Sequence, residues 1–500
     1  MDFSHLVHVA WFTFFQAMCS TLMALLIGLP AAFYCGRRSF LGRPFLLSLS
    51  VVPFCLPSLI IALGYVTFLG LNGGLNQFLM FVFGFEEPPV KVLYSFLGLI
   101  IAHGFYNFPL IMKNVADSWE RLPSEPAECA RLLGAGEGRI FKTVTIHQLL
   151  PSIASSSLLV FIYCFLSFVL VLLFGGIGNS TLEVEIYKAA RGTLDFTKAG
   201  QLAVVETLIL AVVTTFYCII EQKVAARTKG LKAAHNSSKI TIKGWLEHTV
   251  FILLILLIAL FFVAPLAGIV INAFTSSRNG ENGFTLATFQ RVFKMRSFIP
   301  SVKNTIWVAA CTGALCTLIG FLYSMLLRFM ERKVGPRMNI FLKVVPMLPM
   351  SISSVVVGVV ITLIVRRGNV VCLILAQSAL SWPLAFRVIY LNMSKISDDL
   401  LDSSLILSKN KLDLLFRVLL PVCFPSLISA FGFCFAVSAG DTTLPLVLAI
   451  PKFDTLSLFT YRLAGAYRFN EACASGVILG LICAVVFAAA SFKFKKNRKS

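Results

Sequence analysis

The sequence predicts an all-α polytopic membrane protein of about eleven transmembrane helices in two duplicated halves. Three observations predict it. The 500 residues are 58% hydrophobic and 13% charged, far more apolar than a soluble domain, in which about a quarter of the residues are charged. Apolar runs of about twenty residues, enough to cross about 30 Å of hydrocarbon as helices, recur along the whole chain. One polar stretch also occurs twice, at a fixed offset, between different apolar runs.

The runs lie near 8–35, 45–72, 93–116, 150–174, 201–221, 247–273, 304–327, 341–365, 370–392, 422–449 and 472–491. Backbone groups in lipid must be satisfied within the segment that carries them, which runs of this length achieve as helices; barrel strands would be about ten residues long with alternating polarity. Hydrophilic stretches at 72–91, 175–200, 272–303 and 451–470 read as loops on one side, and none is large enough for a separate soluble domain.

The repeated stretch reads EPAECARLLGAGEGRIFKTVTIHQLLPSI from Glu125 to Ile153 and DDLLDSSLILSKNKLDLLFRVLLPVCFPSL from Asp398 to Leu427. Pro109 and Pro383, Glu128 and Asp402, Gly134 and Ser408, and Pro151 and Pro425 share one offset of about 274 residues, so the chain is a tandem duplication. The first half spans 1–222, a basic linker 223–246, and the second half 247–500. In the first copy a short helix after Ser124 places Glu125 and Glu128 in its first turn, where carboxylates favour the positive end of the dipole. Ser397, Asp398, Asp399 and Asp402 repeat that arrangement. Gly134 permits a turn or the close approach of a partner, and Pro151 and Pro425 stand where the following spans begin. The plain alternative is an amphipathic helix lying on the bilayer surface.

Charge orients the chain. If the two repeated loops are cytoplasmic, about 28 of the 43 Lys and Arg lie on their side, among them Arg37, Arg38, Arg328, Arg332, Lys333 and the tail Lys495, Lys496, Arg498 and Lys499. The N-terminus is then outside and the C-terminus cytoplasmic. The net charge of +20 is mostly this asymmetry; nucleic-acid binding would need the charge gathered on a soluble module. The first run is long, is followed by Arg37 and Arg38, and shows no small-residue cleavage site, so it reads as a retained span. The thirteen cysteines form no C-x-x-C pair and the six histidines no ligand spacing, so no metal site or disulfide framework is expected. Gly134-Ala135-Gly136-Glu137-Gly138 is Gly-rich but lacks the Lys-Ser/Thr of a phosphate-binding loop. The chain is therefore expected to bind no cofactor and to hydrolyse no ATP itself.

The pattern of Glu-Ala-Ala, then Gly, then Leu-Pro resembles the EAA motif of the membrane subunits of bacterial ATP-binding-cassette (ABC) importers. The first copy supplies Glu128-Cys129-Ala130, Gly134 and Leu150-Pro151; the second supplies Asp402-Ser403-Ser404, Ser408 and Leu420-Pro421. The second copy departs from the motif, since serines replace the glycine and both alanines, which puts equal coupling of the halves in question. FQAMCSTLMALLIGLPAAFYCGRRSFLGR, IIAHGFYNFPLIMK, STLEVEIYKAARGTLDF and FAVSAGDTTLPLVLAIPKFDTLSLFTYRLAGAYRFNEACASGVILG extend the likeness across nearly the full length. They are similar to fused two-copy permeases of the iron(III), thiamine, spermidine and sulfate group, whose halves are MetI-like, and most of all to the thiamine type. That group usually opens with one more span, and Met1 sits where its second would begin, so this is a five-plus-six arrangement or a shortened start.

The resemblance implies a non-catalytic permease in the bacterial inner membrane. It implies two copies of a cytosolic ABC ATPase that receive the loop helices, a periplasmic or lipoprotein solute-binding protein, and membrane lipid as partners. The coupling residues it implies are Glu125, Glu128, Ala130, Gly134, Asp402 and Ser408. ATP-driven closure of the ATPases would swing the halves between inward- and outward-open states. Thiamine or its phosphate esters are the implied solute, with iron(III) or another small solute as the alternative.

Polar residues within spans are costly and face a cavity or another helix. His103, Asn107, Ser167, Gln377, Trp382, Arg387 and Asp441 are the candidates for a translocation path, with Ser378 alongside. His103 matches Gln377 and Ser167 matches Asp441 at the offset of about 274, as positions on a path between duplicated halves would. Interhelical hydrogen bonding is the plain alternative. Asp441 has three ways to avoid its desolvation cost: protonation, pairing with Arg387, or contact with water in a cavity. Trp382, Phe105, Tyr106 and Asp441 suit an aromatic cation, and ordinary packing accounts for the aromatics equally. Two other classes compete. An ion-driven carrier would use intramembrane acids, here Glu206 and Asp441; a membrane enzyme would need a cluster of nucleophile, base and metal ligand that the sequence lacks.

Overall fold

Gly28 and Gly320 show how closely the helices of this protein pack. A Cβ on Gly28 of helix Phe3–Arg37 would lie 2.9 Å from the Ile111 Cβ of helix Phe96–Glu120. One on Gly320 of helix Phe298–Met330 would lie 2.9 Å from the Phe386 nitrogen of helix Val370–Met393. At both sites the missing side chain lets two long helices run together, and packing at such contacts replaces the hydrophobic drive that lipid cannot supply. The structure, a computed structural model, describes residues 3–51, 56–175, 180–229, 240–242, 244–276, 283–331, 333–365, 368–396 and 398–496.

Ten helices among the described residues are long and apolar enough to cross a membrane, and an eleventh crossing is available if Met338–Ser351 and Ser354–Val365, bent by 76°, form one span. The described β structure is two pairings of two-residue strands, Arg38–Ser39 with Ile240–Thr241 and Thr275–Ser276 with Gly283–Phe284. The chain forms two compact units, the first from the described parts of Met1–Pro53 and Ile61–Ile269, the second from those of Phe54–Ile60 and Val270–Ser500.

In the first unit, helices Phe3–Arg37, Phe96–Glu120, Ile146–Phe165 and Phe196–Lys229 form the bundle. Ser95 caps the second of them, its hydroxyl accepting from the Gly98 N–H at 3.2 Å. Thr13 accepts from the Leu182 N–H at 2.9 Å, tying the first helix to the short helix Leu182–Tyr187. The span Trp245–Phe274, which the repeat assigns to the start of the second half, packs here as far as Ile269. The Tyr65 hydroxyl donates to the Phe261 carbonyl at 2.8 Å, Phe105 stacks on Phe261 with centroids 5.0 Å apart, and Gly64 leaves room for the Pro265 carbonyl. Its far face, including Leu253 and Leu256, is exposed, as a lipid-facing surface must be. The packing boundary therefore falls later in the chain than the boundary at 247 read from the repeat.

The second unit repeats the plan. Asn369 caps Val370–Met393 by accepting from the Cys372 N–H at 2.8 Å, and Thr305 accepts from the Leu456 N–H at 2.7 Å. These match Ser95 and Thr13 in role and position. Helices Leu420–Gly440 and Phe469–Lys496 complete the bundle, and Pro57 reaches it as well, since a Cβ on Gly440 would sit 3.0 Å from the Pro57 ring.

Four of the expected spans are not single straight helices. The run 45–72 is a short helix Arg43–Ser48, a 3₁₀ turn and, after Pro57, a new helix from Ser58; proline suits a helix start better than an interior. The run 341–365 bends where Pro346 and Pro349 hold a 3₁₀ segment, Val345–Ser351. The runs 150–174 and 422–449 each break, after Phe165 and after Gly440. The expected loops change too: 72–91, 175–200, 272–303 and 451–470 hold helices Gly74–Phe83, Leu182–Tyr187, Ala287–Phe293 and Leu456–Gly465, and Phe196–Lys229 runs on into the linker, whose residues 230–239 and 243 lie outside the described ones.

Candidate functional site

The first repeated loop folds as a free-standing helix, Glu125–Leu132, with no buried residue. Glu125 and Glu128 occupy its first turn as expected, but Ser124 is helical in backbone and its hydroxyl makes no cap; Pro126 fits the first turn instead. The end is closed by backbone. Gly134 has φ of +81°, its N–H donates to the Arg131 carbonyl at 2.9 Å, and the Ala135 N–H donates to the Ala130 carbonyl at 3.0 Å. This is a Schellman motif, in which the left-handed residue is glycine because a Cβ would be strained there. Arg131 then clasps Glu137, Nε to Oε1 at 2.6 Å, and that hydrogen bond raises the Arg131 pKa further. Leu132 and Leu133 are left 88% exposed each.

The second loop holds helix Asp398–Leu407, with Asp402 exposed; Ser397, expected to begin it, lies outside the described residues. Its end is closed by side chains. Ser408 donates both its N–H, at 3.0 Å, and its hydroxyl, at 2.5 Å, to the Ser404 carbonyl. Asn410 accepts from the Asp413 N–H at 2.8 Å, and Asp413 accepts from the Lys409 N–H at 3.2 Å, two bonds that box the start of the next helix. Ile406 and Leu407 are 84% exposed each. They stand at the repeat positions of Leu132 and Leu133, so each lever ends in an uncovered apolar pair. Sequence reading missed these pairs; their spacing was visible, but only the fold shows them uncovered. Beyond each loop a π-helical turn, Phe141–Thr145 or Leu415–Leu419, leads into the next span.

Within the spans the structure brings the matched polar residues together inside each unit. In the first, His103 is 1% exposed, with Nε2 2.7 Å from the Ser167 hydroxyl and Nδ1 2.7 Å from the Gln16 amide nitrogen. In the second, the Gln377 amide donates to Asp441 Oδ2 at 3.0 Å and its carbonyl accepts from Ser438 at 2.6 Å. Asp441 Oδ1 accepts from the N–H groups of Thr443 and Leu444 at 2.9 and 3.2 Å. Gln16, Ser20, Thr312 and Ser438 were missed because single polar residues in apolar helices carry no spacing signal.

The other candidates are placed differently. Asn107 is buried and turns back on its own helix, donating to the His103 carbonyl at 3.0 Å and to Cys164 Sγ at 3.5 Å. Trp382 lies against Tyr323, centroids 5.6 Å apart, within an apolar cluster around Ala385 and Cys434. Arg387 is half-buried on the same helix. Phe105 stacks on Phe261. Glu206 and Glu183 are both fully buried in the first unit. Ser457 stands at the repeat position of Glu183 and donates to the Asp441 carbonyl at 2.7 Å.

Comparison with known proteins gives this pattern its family. The binding-protein-dependent transport system inner membrane component matches residues 28–230 and again 328–495, one copy in each half. The chain belongs to that family. It is a permease subunit of a binding-protein-dependent ABC importer and a multi-pass inner-membrane protein. Among curated proteins, this permease is 26% identical over 504 residues to the thiamine transport system permease protein ThiP of Haemophilus influenzae, covering 97% of this chain and 88% of that one. It is 25% identical to the protein of the same name from Escherichia coli, with the same coverage. Among solved structures it is similar to a chain of a bacterial ABC transporter involved in the import of the acidic polysaccharide alginate. That likeness has a TM-score of 0.39 and 19% identity, covering 50% of this permease and 96% of that chain.

Proposed function

We propose that this permease imports thiamine or its phosphate esters, received from a solute-binding protein and moved at the expense of ATP hydrolysed by two copies of a cytosolic ATPase. Likeness to thiamine permeases over 97% of the chain carries the choice of solute. The two exposed helices, each ending in an uncovered apolar pair, support the docking of two ATPases: burying one leucine side chain stabilises a complex by about 1.5 to 3 kcal/mol. Glu125, Glu128, Ala130, Gly134, Asp402 and Ser408 form or shape the docking surfaces. The loops then lie in the cytoplasm, the N-terminus outside and the C-terminus inside. The path runs along the broken spans that carry Ser167 and Asp441. The permease binds no cofactor; the chemistry belongs to the ATPase.

The test is reconstitution of the complex in proteoliposomes with its binding protein, following labelled thiamine. Thiamine-stimulated ATP hydrolysis with thiamine accumulation is expected. Stimulation by ferric iron with none by thiamine overturns the choice of solute.

A further inference from the structure

One span of each unit stops and resumes. Ile146–Phe165 gives way to Val169–Phe174, and Leu420–Gly440 gives way to Thr443–Leu448. Breaking a helix among apolar side chains frees backbone groups that only the protein itself can satisfy, so something must hold each break. In both units a polar side chain at the break is met by one from the neighbouring long helix: Ser167 by His103 at 2.7 Å, Asp441 by Gln377 at 3.0 Å. Behind each stands a hydroxyl from the unit's other long helix, Ser20 3.5 Å from His103 Nδ1 and Thr312 3.4 Å from Gln377 Oε1. Ser20 and Thr312 correspond through the same shift of about 292 residues that relates Thr13 to Thr305 and Gly28 to Gly320. The geometry is kept while the chemistry is not: imidazole meets hydroxyl in one unit, amide meets carboxylate in the other. Three hydrogen bonds from the protein already hold the Asp441 carboxylate, two on Oδ1 and one on Oδ2.

We infer that His103–Ser167 and Gln377–Asp441 are equivalent positioning clamps that hold the broken span of each unit in register. Asp441 acts through the half-helix whose first N–H groups it accepts from. What the two units share is the tie across the break, so a carboxylate is one of several ways to make it.

The decisive experiment transplants one clamp into the other unit. Gln377→His and Asp441→Ser are made singly and together in the full chain, giving the second unit the pair found in the first. Two quantities are read: the thermal unfolding midpoint of the purified chain in detergent, and kcat and KM for thiamine uptake by the reconstituted complex. Each single change is expected to lower the midpoint and cut kcat by at least about tenfold with KM within about twofold, since it spoils a geometry and removes no solute contact. The double change is expected to restore both readings to within about threefold of the parent kcat, a non-additivity that only a coupled pair produces. A double mutant whose midpoint recovers while uptake stays as poor as in Asp441→Ser assigns the carboxylate to the solute and overturns the inference. A double mutant whose midpoint is no better than the singles overturns it as well. The uptake arm rests on the thiamine reading. If the parent complex moves no thiamine, that reading fails, and the detergent midpoints alone decide the clamp.

Discussion

The two loops reach one shape by different means. The first ends its helix with backbone hydrogen bonds around a left-handed glycine and adds an ion pair, Arg131 to Glu137. The second has a serine where the glycine was and closes with the Ser408 hydroxyl and the Asn410–Asp413 box. At the repeat positions of Arg131 and Glu137 it has Leu405 and Lys411, which cannot form that ion pair. What stays constant is the product, a short exposed helix with an uncovered apolar pair at its end. Of the substitutions that make the second copy a poor match to the EAA pattern, Ser408 falls on the closure and Ser403 and Ser404 lie within the helix, and none touches the apolar pair at its end.

That contrast can be broken most strongly at the tips. Leu132→Asp with Leu133→Asp should weaken ATPase association by about a hundredfold or more, since two leucines lose about 3 kcal/mol or more of burial. Ile406→Asp with Leu407→Asp should do equal damage within about threefold; pull-down titration of the ATPase reads both. A large gap between the two pairs would show that the tips are not equivalent. Charge reversal comes next. Glu128→Arg should abolish solute-stimulated ATP hydrolysis while leaving the permease in the membrane, because a reversed charge no longer fits the same cleft. Asp402→Arg should lose less, and an equal or greater loss would reject the asymmetry of the halves.

Smaller effects sharpen the contrast in the closures. Gly134→Ala places a Cβ at φ of +81° with no atom near enough to clash, so its cost is backbone strain of about 1 kcal/mol. Ser408→Ala removes one side-chain hydrogen bond at a half-buried site, about 0.5 kcal/mol. Hydrogen exchange at the Ala135 and Ser408 amides should rank them in that order. Arg131→Met should change coupling by no more than about twofold at physiological salt, because the ion pair is exposed and screened. A tenfold change there would make the ion pair a docking contact.

Much of this was legible in the sequence, and the parts that were not have a common cause. The duplication, the helical class and the position of both loop helices follow from apolar run length and one offset. The offset also matched His103 with Gln377 and Ser167 with Asp441, but it did not say which of them touch; that His103 meets Ser167 and Gln377 meets Asp441 is read only from the fold. Hydropathy could not show that 150–174 and 422–449 break, since a broken span and a continuous one have the same composition. Nor could it reveal Gln16 or Thr312 as partners, which depends on how two helices face each other. Asp441 read as an isolated carboxylate only because its partners, Gln377 and the N–H groups after the break, are invisible in a linear pattern.

The span Trp245–Phe274 gives the packing in the first unit a meaning for how the protein is made. A ribosome finishes the first repeat at about residue 222, yet Tyr65, Phe105 and Gly64 still await Phe261 and Pro265. The first unit cannot close its core until the nascent chain has delivered a helix from beyond the linker, so assembly does not proceed repeat by repeat. Engineers who divide the permease into two polypeptides meet the same fact. A cut in the linker strands a helix on the wrong fragment, whereas one placed after Ser276 keeps that helix with the residues it packs against.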